Sequence, residues 1–239
     1  MLCPLMKVVR MSITNSESVR TKVALCIGPL EAAFERLWSY DPLEQIVPPY
    51  LVLLHQLMRA SVPLMGRGAE VCEKLAATDP LARRLGAYYL GHIEDERDHD
   101  AWALEDLAAA GYDVDCALSI VPSPQMANLV GSQYYWLNHH HPIMLMGYIT
   151  VLEAFPPSKR RVDEIRDRSG VPDAAFRTLR IHGELDPTHS AEIDDTLNEL
   201  PLGKSHLEMI GVSVLHTCEW LSRSVQSLKP VESLARRIC

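Results

Sequence analysis

The amino-acid sequence predicts an all-α protein with a single domain. Segments of helical length, in which apolar residues recur at every third or fourth position, fill most of the 239 residues, and prolines and glycines separate them. The sequence has no Asn-Gly hairpin and no convincing alternation of apolar and polar residues of the kind that half-buried strands show. It also has no internal repeat, low-complexity tract or interdomain linker. We therefore expect one bundle of about eight helices.

Prolines and glycines set most of the helix ends. The third helix has the clearest ends, because Asp79 is a natural N-cap, Pro80 suits the first helical position and Gly111 suits the C-terminal cap. Pro187 is expected to kink the seventh helix, since it removes one backbone hydrogen bond and crowds the preceding turn. In chain order the helices are predicted over residues 18–40, 50–65, 79–110, 123–141, 142–155, 158–168, 172–200 and 204–228.

Composition and charge exclude several classes of protein. The formal net charge of −8 argues against nucleic acid or an anionic membrane as a partner, because both would need a basic surface. The longest uncharged apolar stretch, residues 142–152, is shorter than the ~20 residues of a membrane span. Residues 1–17 show no signal-peptide pattern, and we expect a flexible lead-in to a helical domain over residues 18–230. Six scattered cysteines without a Cys-x-x-Cys pair favour free thiols and a cytoplasmic location.

The predicted helix over residues 79–110 has ionisable side chains in the middle of its apolar face. On a continuous helix, His92, Glu96 and His99 lie within about 60° of one another. The full stripe at spacings of four and three consists of Leu85, Tyr89, His92, Glu96, His99, Ala103 and Leu107. The ends of this face therefore suit a core, whereas its centre suits polar chemistry.

The helix over residues 172–200 repeats this pattern. Its stripe consists of Ala175, Leu179, His182, Asp186, His189, Ile193 and Leu197. The helix between the two motifs in sequence, over residues 142–155, has a single charged residue, Glu153, near its C-terminal end. A buried carboxylate there is costly without a cation or a donor, and the helix dipole increases that cost.

Imidazole and carboxylate groups without thiolates are the ligands of first-row transition metals. Four histidines and three carboxylates suffice for two ions, as in helix bundles that hold di-iron or di-manganese centres, whereas a structural zinc site would more often use cysteine. The candidate ligands are His92, Glu96, His99, Glu153, His182, Asp186 and His189. Among the other histidines, His55 either reaches the same cavity or caps the core, and the run His139 to His141 is interpreted as structural.

These residues resemble a known family. The segment HIEDERDH (residues 92–99), Glu153 before a Pro-Pro stop, and the segment HGELDPTH (residues 182–189) are similar to the haem-oxygenase-like di-iron oxidases and oxygenases, which are related to TenA proteins and pyrroloquinoline-quinone synthase. The resemblance extends from about residue 50 to residue 225. It implies a haem-oxygenase-like bundle of seven to eight helices that holds two iron ions instead of haem.

The resemblance also implies which residues bind iron. By motif position it carries five residues over as ligands: His99, Glu153, His182, Asp186 and His189. For the first motif it leaves His92 and Glu96 as alternatives, because members of the family differ at these positions. Many members add a glutamate from an early core helix, and residues 50–65 contain none. A labile second iron or a mononuclear site therefore remains open.

The function that the resemblance implies is that of a non-haem di-iron oxygenase. Such an enzyme activates O₂ through a peroxo intermediate, oxidises a small amine or amino-acid-like substrate, takes electrons from an external donor and forms a homodimer. N-oxygenation is favoured, and oxidative C–C cleavage or desaturation of an amino or fatty acid is the alternative. A metal-free enzyme similar to TenA or quinone synthase, and a non-catalytic bundle that binds metal or ligand, are further alternatives.

Overall fold

The computed structural model describes residues 13–154 and 156–231, and every regular element in these ranges is helical. The prediction of an all-α fold is therefore confirmed. The α-helices are α1 (Asn15–Cys26), α2 (Gly28–Trp38), α3 (Val47–Leu75), α4 (Ala82–Glu96), α5 (His99–Ala109), α6 (Val114–Ser119), α7 (Pro124–His139), α8 (Leu145–Leu152), α9 (Lys159–Ser169), α10 (Arg177–Glu199) and α11 (Lys204–Gln226). Three short 3₁₀ helices span Leu43–Gln45, Pro142–Met144 and Asp173–Phe176. Two predicted helices are each divided, and α6 was not expected.

The first predicted helix, over residues 18–40, is the pair α1 and α2. Helix α1 begins at Asn15, inside the predicted lead-in, because Thr14 caps it and forms a reciprocal capping box with Glu17. Helix α1 ends at Cys26, with Ile27 as its C-cap, since Pro29 in the first turn of α2 has no N–H to donate to the preceding turn. Residues 1–12 of the predicted lead-in lie outside the described residues.

Helix α3 continues beyond the expected end at residue 65 and contains Pro63 in its interior. An interior proline costs a helix about 3 kcal/mol, so packing must compensate. The second half of α3 lies against α4, where Gly68 contacts the ring of Tyr89 and Gly86 contacts Cys72. A methyl group at Gly68 would lie 2.9 Å from that ring. The tertiary contact therefore keeps the chain helical where the local sequence predicts an end.

The predicted helix over residues 79–110 is broken at the motif itself. Helix α4 ends at Glu96, Arg97 is extended, and Asp98 has a left-handed backbone with φ of 66° before α5 begins at His99. Aspartate is one of the few residues that adopt this conformation readily. The expectation that His92, Glu96 and His99 share one helical face is therefore wrong, because His99 is the first residue of a new helix.

Later helix boundaries follow the sequence signals. Ser123 and Ser158 each accept a hydrogen bond from a backbone N–H in the first turn of α7 and α9, and Gly170 ends α9 with φ of 65°. Helix α10 continues through Pro187. Its glycine, Gly183, allows a close approach, because a methyl group there would lie 2.5 Å from the carbonyl oxygen of Pro157.

Helices α3 and α11 occupy the centre of the bundle, with α11 against α1, α2, α7 and α8. Helix α8 is buried through Val151, and Gly147 allows it to touch α11, since a methyl group there would lie 2.5 Å from the carbonyl oxygen of Ile210. Glu153 follows directly as the C-cap of α8. None of the helices in the described ranges has the length and apolar character needed to cross a membrane.

The cysteines only partly match the expectation of free thiols. Cys26, Cys72 and Cys218 are free, whereas Cys116 is in a disulfide bond. The expectation came from spacing along the chain, which does not show which cysteines the fold brings together. Cys3 and Cys239 lie outside the described residues.

Candidate metal centre

Four helices bring the seven candidate ligands to one buried region between α4, α5, α8 and α10. The last turns of α4 provide His92 and Glu96, α5 begins with His99, and Glu153 caps α8. Helix α10 carries the remaining three residues, His182, Asp186 and His189. His182 is half-buried and the other six residues are buried.

Four of these side chains form one cluster, here called the four-residue cluster: His92, Glu96, Glu153 and His189. One ligand atom from each lies within 4.8 Å of the others. His189 Nδ1 is 3.4 Å from Glu153 Oε2 and 3.6 Å from Glu96 Oε1. His92 Nε2 is 3.9 Å from Glu153 Oε1. Nitrogen and oxygen atoms at these separations surround a space suited to one cation.

A second group, here called the three-residue cluster, consists of Glu96, His99 and His182 within the same 4.8 Å limit. His99 Nδ1 is hydrogen-bonded to Glu96 Oε2 at 3.1 Å. His182 Nδ1 donates to the Thr178 carbonyl at 3.0 Å, because a carbonyl only accepts. This hydrogen bond leaves the lone pair on Nε2 of His182 free for a metal.

Glu96 belongs to both clusters, and its two carboxylate oxygens face different neighbours. Oε1 is 3.6 Å from His189 Nδ1, in the four-residue cluster. Oε2 is 3.1 Å from His99 Nδ1, in the three-residue cluster. A carboxylate placed in this way can bridge two cations, as in carboxylate-bridged helix bundles.

Asp186 lies beside the clusters and belongs to neither. Its Oδ1 is buried without a hydrogen-bond partner. Burial, with the nearby Glu153 charge, raises the pKa of Asp186 to about 8. The structure therefore places this predicted ligand at the edge of the site, as a carboxyl group that holds a proton at neutral pH.

The other pKa shifts follow from burial and close contacts. Contact with the Glu153 carboxylate raises the pKa of His189 to about 9. Burial lowers the pKa of His92 and of His182, so both are neutral and available as ligands. Burial would raise the pKa of Glu96, but the hydrogen bond from His99 and the neighbouring imidazoles lower it overall.

The buried atoms without hydrogen-bond partners test whether a metal fits. Buried polar atoms normally have partners, yet three such atoms of the four-residue cluster have none: Glu96 Oε1, Glu153 Oε2 and His189 Nδ1. All three can accept a cation in their deprotonated forms. The donor set of imidazoles and carboxylates is one that binds iron, so the residues fit this metal.

Aromatic rings support two of the histidines, and sequence reasoning missed them. Tyr88 stacks on His92 with centroids 5.5 Å apart, and Trp102 stacks on His99 with centroids 4.0 Å apart. The sequence signal that could have identified these rings is their spacing of three or four residues from the histidines, because residues at that spacing meet on a helix. Nearby, Asp106 of α5 accepts a hydrogen bond from the backbone N–H of Thr178 at 2.9 Å and so ties α5 to the start of α10.

A cavity of about 150 Å³ lies next to the clusters. Its walls are mainly apolar and include Phe34 of α2 and Leu57 of α3. Its polar side chains include Glu96, Glu153 and Asp186. Sequence periodicity could not reveal this cavity, because each helix contributes only a few side chains to it. The α3 side chains on its wall include no carboxylate, as the sequence indicated, and Glu70 and Glu73 of α3 are exposed.

The remaining histidines have other contacts. His55 Nδ1 donates to the Asp100 carbonyl at 3.1 Å, and His55 belongs to neither cluster. His141 Nε2 donates a hydrogen bond to Asp79 Oδ2 at 2.9 Å, and its Nδ1 accepts one from the Ile143 N–H. The structural interpretation of His141 is therefore confirmed.

Comparisons with known structures establish the fold. A domain of unknown function from Shewanella denitrificans with a haem oxygenase-like fold is 16% identical, with a TM-score of 0.74 over 90% of this chain and 91% of that one. A TenA homologue from Pseudomonas syringae pv. tomato is 12% identical, with a TM-score of 0.62 over 94% of this chain and 96% of that one. The chain therefore has the haem-oxygenase-like fold that the sequence motifs implied.

No curated protein matches the chain by sequence. A family model described as iron-containing redox enzyme matches residues 68–220, which include both histidine motifs and Glu153. Because the match covers more than half of the chain and contains the two buried clusters, the protein belongs to this family of iron-containing redox enzymes.

Proposed function

We propose that the protein is a non-haem di-iron oxygenase that uses O₂ and an external electron donor to oxidise a small molecule bound beside the clusters. The position of Glu96 in both clusters carries this proposal. When bound, two ferrous ions supply the electrons that reduce O₂ and the positive charge that stabilises the reduced oxygen. The protein supplies the ligands, the cavity and the exclusion of water.

The ligand sets that we propose are unequal. His92, Glu153 and His189 would hold one ion, His99 and His182 would hold the other, and Glu96 would contribute to both sets. The second ion has fewer protein ligands, because α3 contributes no carboxylate to the cavity wall. We therefore expect the ion in the three-residue cluster to dissociate more readily.

The cavity favours a small substrate with an apolar body. Engineered apolar cavities of about 150 Å³ accept benzene-sized molecules. No lysine or arginine is present on the part of the cavity wall that the structure describes, so a free substrate carboxylate would have no cationic side chain to pair with. An amine, in contrast, can donate an N–H to Asp186. Burial also disfavours the ammonium form, which leaves the nitrogen lone pair free to react.

These features support N-oxygenation of an amine over oxidation of a free fatty acid. Conversion of an amine to a hydroxylamine consumes one O₂, two electrons and two protons and releases one water. In this proposal the Asp186 carboxyl orients the amine, and the leucine-rich walls hold its hydrocarbon part. Oxidative C–C cleavage and desaturation by the same centre remain the second candidate, because an apolar cavity also suits a short aliphatic chain.

A metal-free enzyme similar to TenA has less support. That activity would require a nucleophilic cysteine, and neither Cys72 nor Cys218 lies on the cavity wall. Burial raises the pKa of each thiol to about 12, so neither is a nucleophile at neutral pH. We also propose that the protein is cytoplasmic and a homodimer, which gel filtration with light scattering would test.

The decisive experiment is anaerobic loading with ferrous iron, followed by mixing with O₂ and small primary amines. We expect two irons per chain, O₂ consumption that depends on the amine, and a hydroxylamine product detected by mass spectrometry. Two irons with product from a short fatty acid and none from amines would favour the second candidate. No bound iron and no O₂ consumption would reject the oxygenase and leave a metal-free enzyme or a binding protein.

A further inference from the structure

A groove of about 350 Å³ lies at the surface on the outer side of His92, between α4 and α10. Asp95 and Glu192 line it, and Asp195 adds a third carboxylate. Among the described residues, neither Asp95 nor Glu192 is in an ion pair, and both are exposed. The C-terminal end of α4 adds its own partial negative charge at this point. The groove is therefore acidic, and within the described ranges no basic side chain pairs with Asp95 or Glu192.

His92 forms the inner wall of this groove. One ligand atom each from His92, Asp95 and Glu192 lies within 4.8 Å of the other two. The His92 side chain is only 3% exposed, and its Nδ1 is buried without a hydrogen-bond partner. One imidazole nitrogen and two carboxylates at this separation form a site for a divalent cation, not merely an acidic surface.

His92 is also a member of the buried four-residue cluster. Its Nε2 is 3.9 Å from Glu153 Oε1. The two ring nitrogens point in different directions, so Nδ1 is the nitrogen left for Asp95 and Glu192 when Nε2 faces Glu153. A single side chain thus separates the groove from the buried centre.

We propose that His92, Asp95 and Glu192 form a surface site that captures a hydrated divalent cation such as Fe²⁺ and passes it to the buried clusters. The capture site stands on its own geometry, whereas the transfer rests on the proposed di-iron centre. With three protein ligands and open access to water, the surface site holds its ion weakly and exchanges it quickly. Carboxylates that line a groove and carry the same negative charge also concentrate cations there and raise their rate of association.

Transfer needs only a change of partners around His92. The ion exchanges Asp95 and Glu192 for Glu96 and Glu153 as it passes the imidazole. The imidazole itself stays in place, stacked on the ring of Tyr88 at 5.5 Å and 16° from parallel.

The uptake experiment compares two double variants with the same loss of negative charge. Asp95→Asn/Glu192→Gln removes both groove carboxylates, and Glu44→Gln/Asp115→Asn removes two exposed carboxylates outside all three metal-ligand groups. Metal-free protein is mixed anaerobically with limiting Fe²⁺, and a chromophoric chelator then traps the iron that is still free. We expect uptake to slow about tenfold in the groove variant and to change about twofold at most in the control. Equal rates in the two variants would overturn the transfer.

A second measurement tests the capture site when both buried clusters are weakened. His99→Ala/His189→Ala removes one ligand from each buried cluster and leaves the groove intact. In a titration with Mn²⁺ alone, followed by electron paramagnetic resonance, this variant should retain one weakly bound ion. Adding Asp95→Asn/Glu192→Gln should abolish the binding of that ion, and an unchanged titration would overturn the capture site. If wild-type protein binds no buried iron yet shows this weak site, the proposed function fails while the capture site stands.

Discussion

Two motifs, over residues 92–99 and residues 182–189, have the same spacing of two histidines and one carboxylate. Each motif contributes one histidine to the four-residue cluster and one to the three-residue cluster. The first motif is broken by the left-handed residue Asp98, whereas the second lies on the continuous helix α10. As a result, the central carboxylates differ. Glu96 belongs to both clusters, and Asp186 belongs to neither. Identical spacing therefore leads to different roles when the backbone and the neighbours differ.

The surroundings of the two carboxylates explain this difference. Glu96 is hydrogen-bonded to His99, and the adjacent imidazoles keep its pKa low despite burial. Asp186 has a shorter side chain, no hydrogen-bond partner at Oδ1, and the Glu153 carboxylate nearby, which with burial raises its pKa to about 8. Glu96 is thus suited to bind cations, whereas Asp186 holds a proton beside the cavity.

Substitution of these two carboxylates should change metal binding most. Glu96→Gln should lower iron affinity at least about a hundredfold and leave fewer than two irons per chain, because one substitution removes a ligand from both clusters. Asp186→Asn should retain both irons and lose activity toward the amine. Iron is counted after gel filtration, with helical circular dichroism as the control for folding. Equal loss of iron in the two variants would show that Asp186 is a ligand too.

Substitution of the two histidines of α10 should change iron affinity less than substitution of Glu96. His182→Ala should release only the ion of the three-residue cluster, because the other ion keeps all of its ligands. His189→Ala should weaken the more tightly held ion. Anaerobic titration with Fe²⁺ against a competing chelator gives both affinities. Loss of both ions from His182→Ala would contradict the separate clusters proposed above.

The anchoring of the second motif is tested at Gly183. Gly183→Ala should destabilise the protein by about 1–3 kcal/mol, because the new methyl group meets the Pro157 carbonyl oxygen at 2.5 Å. Gly131→Ala on α7 has open space around it and should be neutral or stabilise the helix by up to about 1 kcal/mol. Urea unfolding of the metal-free proteins measures both. A neutral Gly183→Ala would show that α10 shifts away from Pro157 at little cost.

The pH dependence of stability tests the proton on Asp186. Folding raises the pKa of Asp186 from 3.8 to about 8 and that of His189 from 6.5 to about 9. Both groups therefore bind protons more tightly in the folded state, and their contributions to stability are lost as pH rises through these folded values. The unfolding temperature of chelator-treated protein should fall between pH 6 and pH 9, and it should fall less in Asp186→Asn. An equal fall in both proteins would contradict the raised pKa of Asp186.

The weakest of these effects should come from the ring stacked beside His99. Trp102→Leu removes a ring that stacks on His99 at 4.0 Å and is itself covered by the guanidinium of Arg177 at 5.3 Å. Aromatic contacts of this kind are worth about 0.5–1.5 kcal/mol, so the ion of the three-residue cluster should bind up to about tenfold more weakly. The same chelator competition measures it, and an unchanged affinity would show that the Glu96 contact alone positions His99.

Local sequence was sufficient to establish the fold class and the ligand region of this protein. Helical periodicity showed that each motif faces inward, and the predicted helix starts at residues 123 and 158 are the N-caps of α7 and α9. Glu153 was identified because a lone carboxylate in an apolar helix requires a partner. The lack of a carboxylate in residues 50–65 is likewise plain from the sequence. These are local properties, which a short window of sequence records.

How these residues meet depends on the packing of the helices. The break at Asp98, the sharing of Glu96, the displaced position of Asp186 and the groove beside His92 all depend on contacts between helices that are distant in sequence. Periodicity shows which face of a helix is buried, but not which helix covers it. Contacts between helices thus keep α3 helical through Pro63, and contacts between other helices place Glu96, and not Asp186, in both clusters.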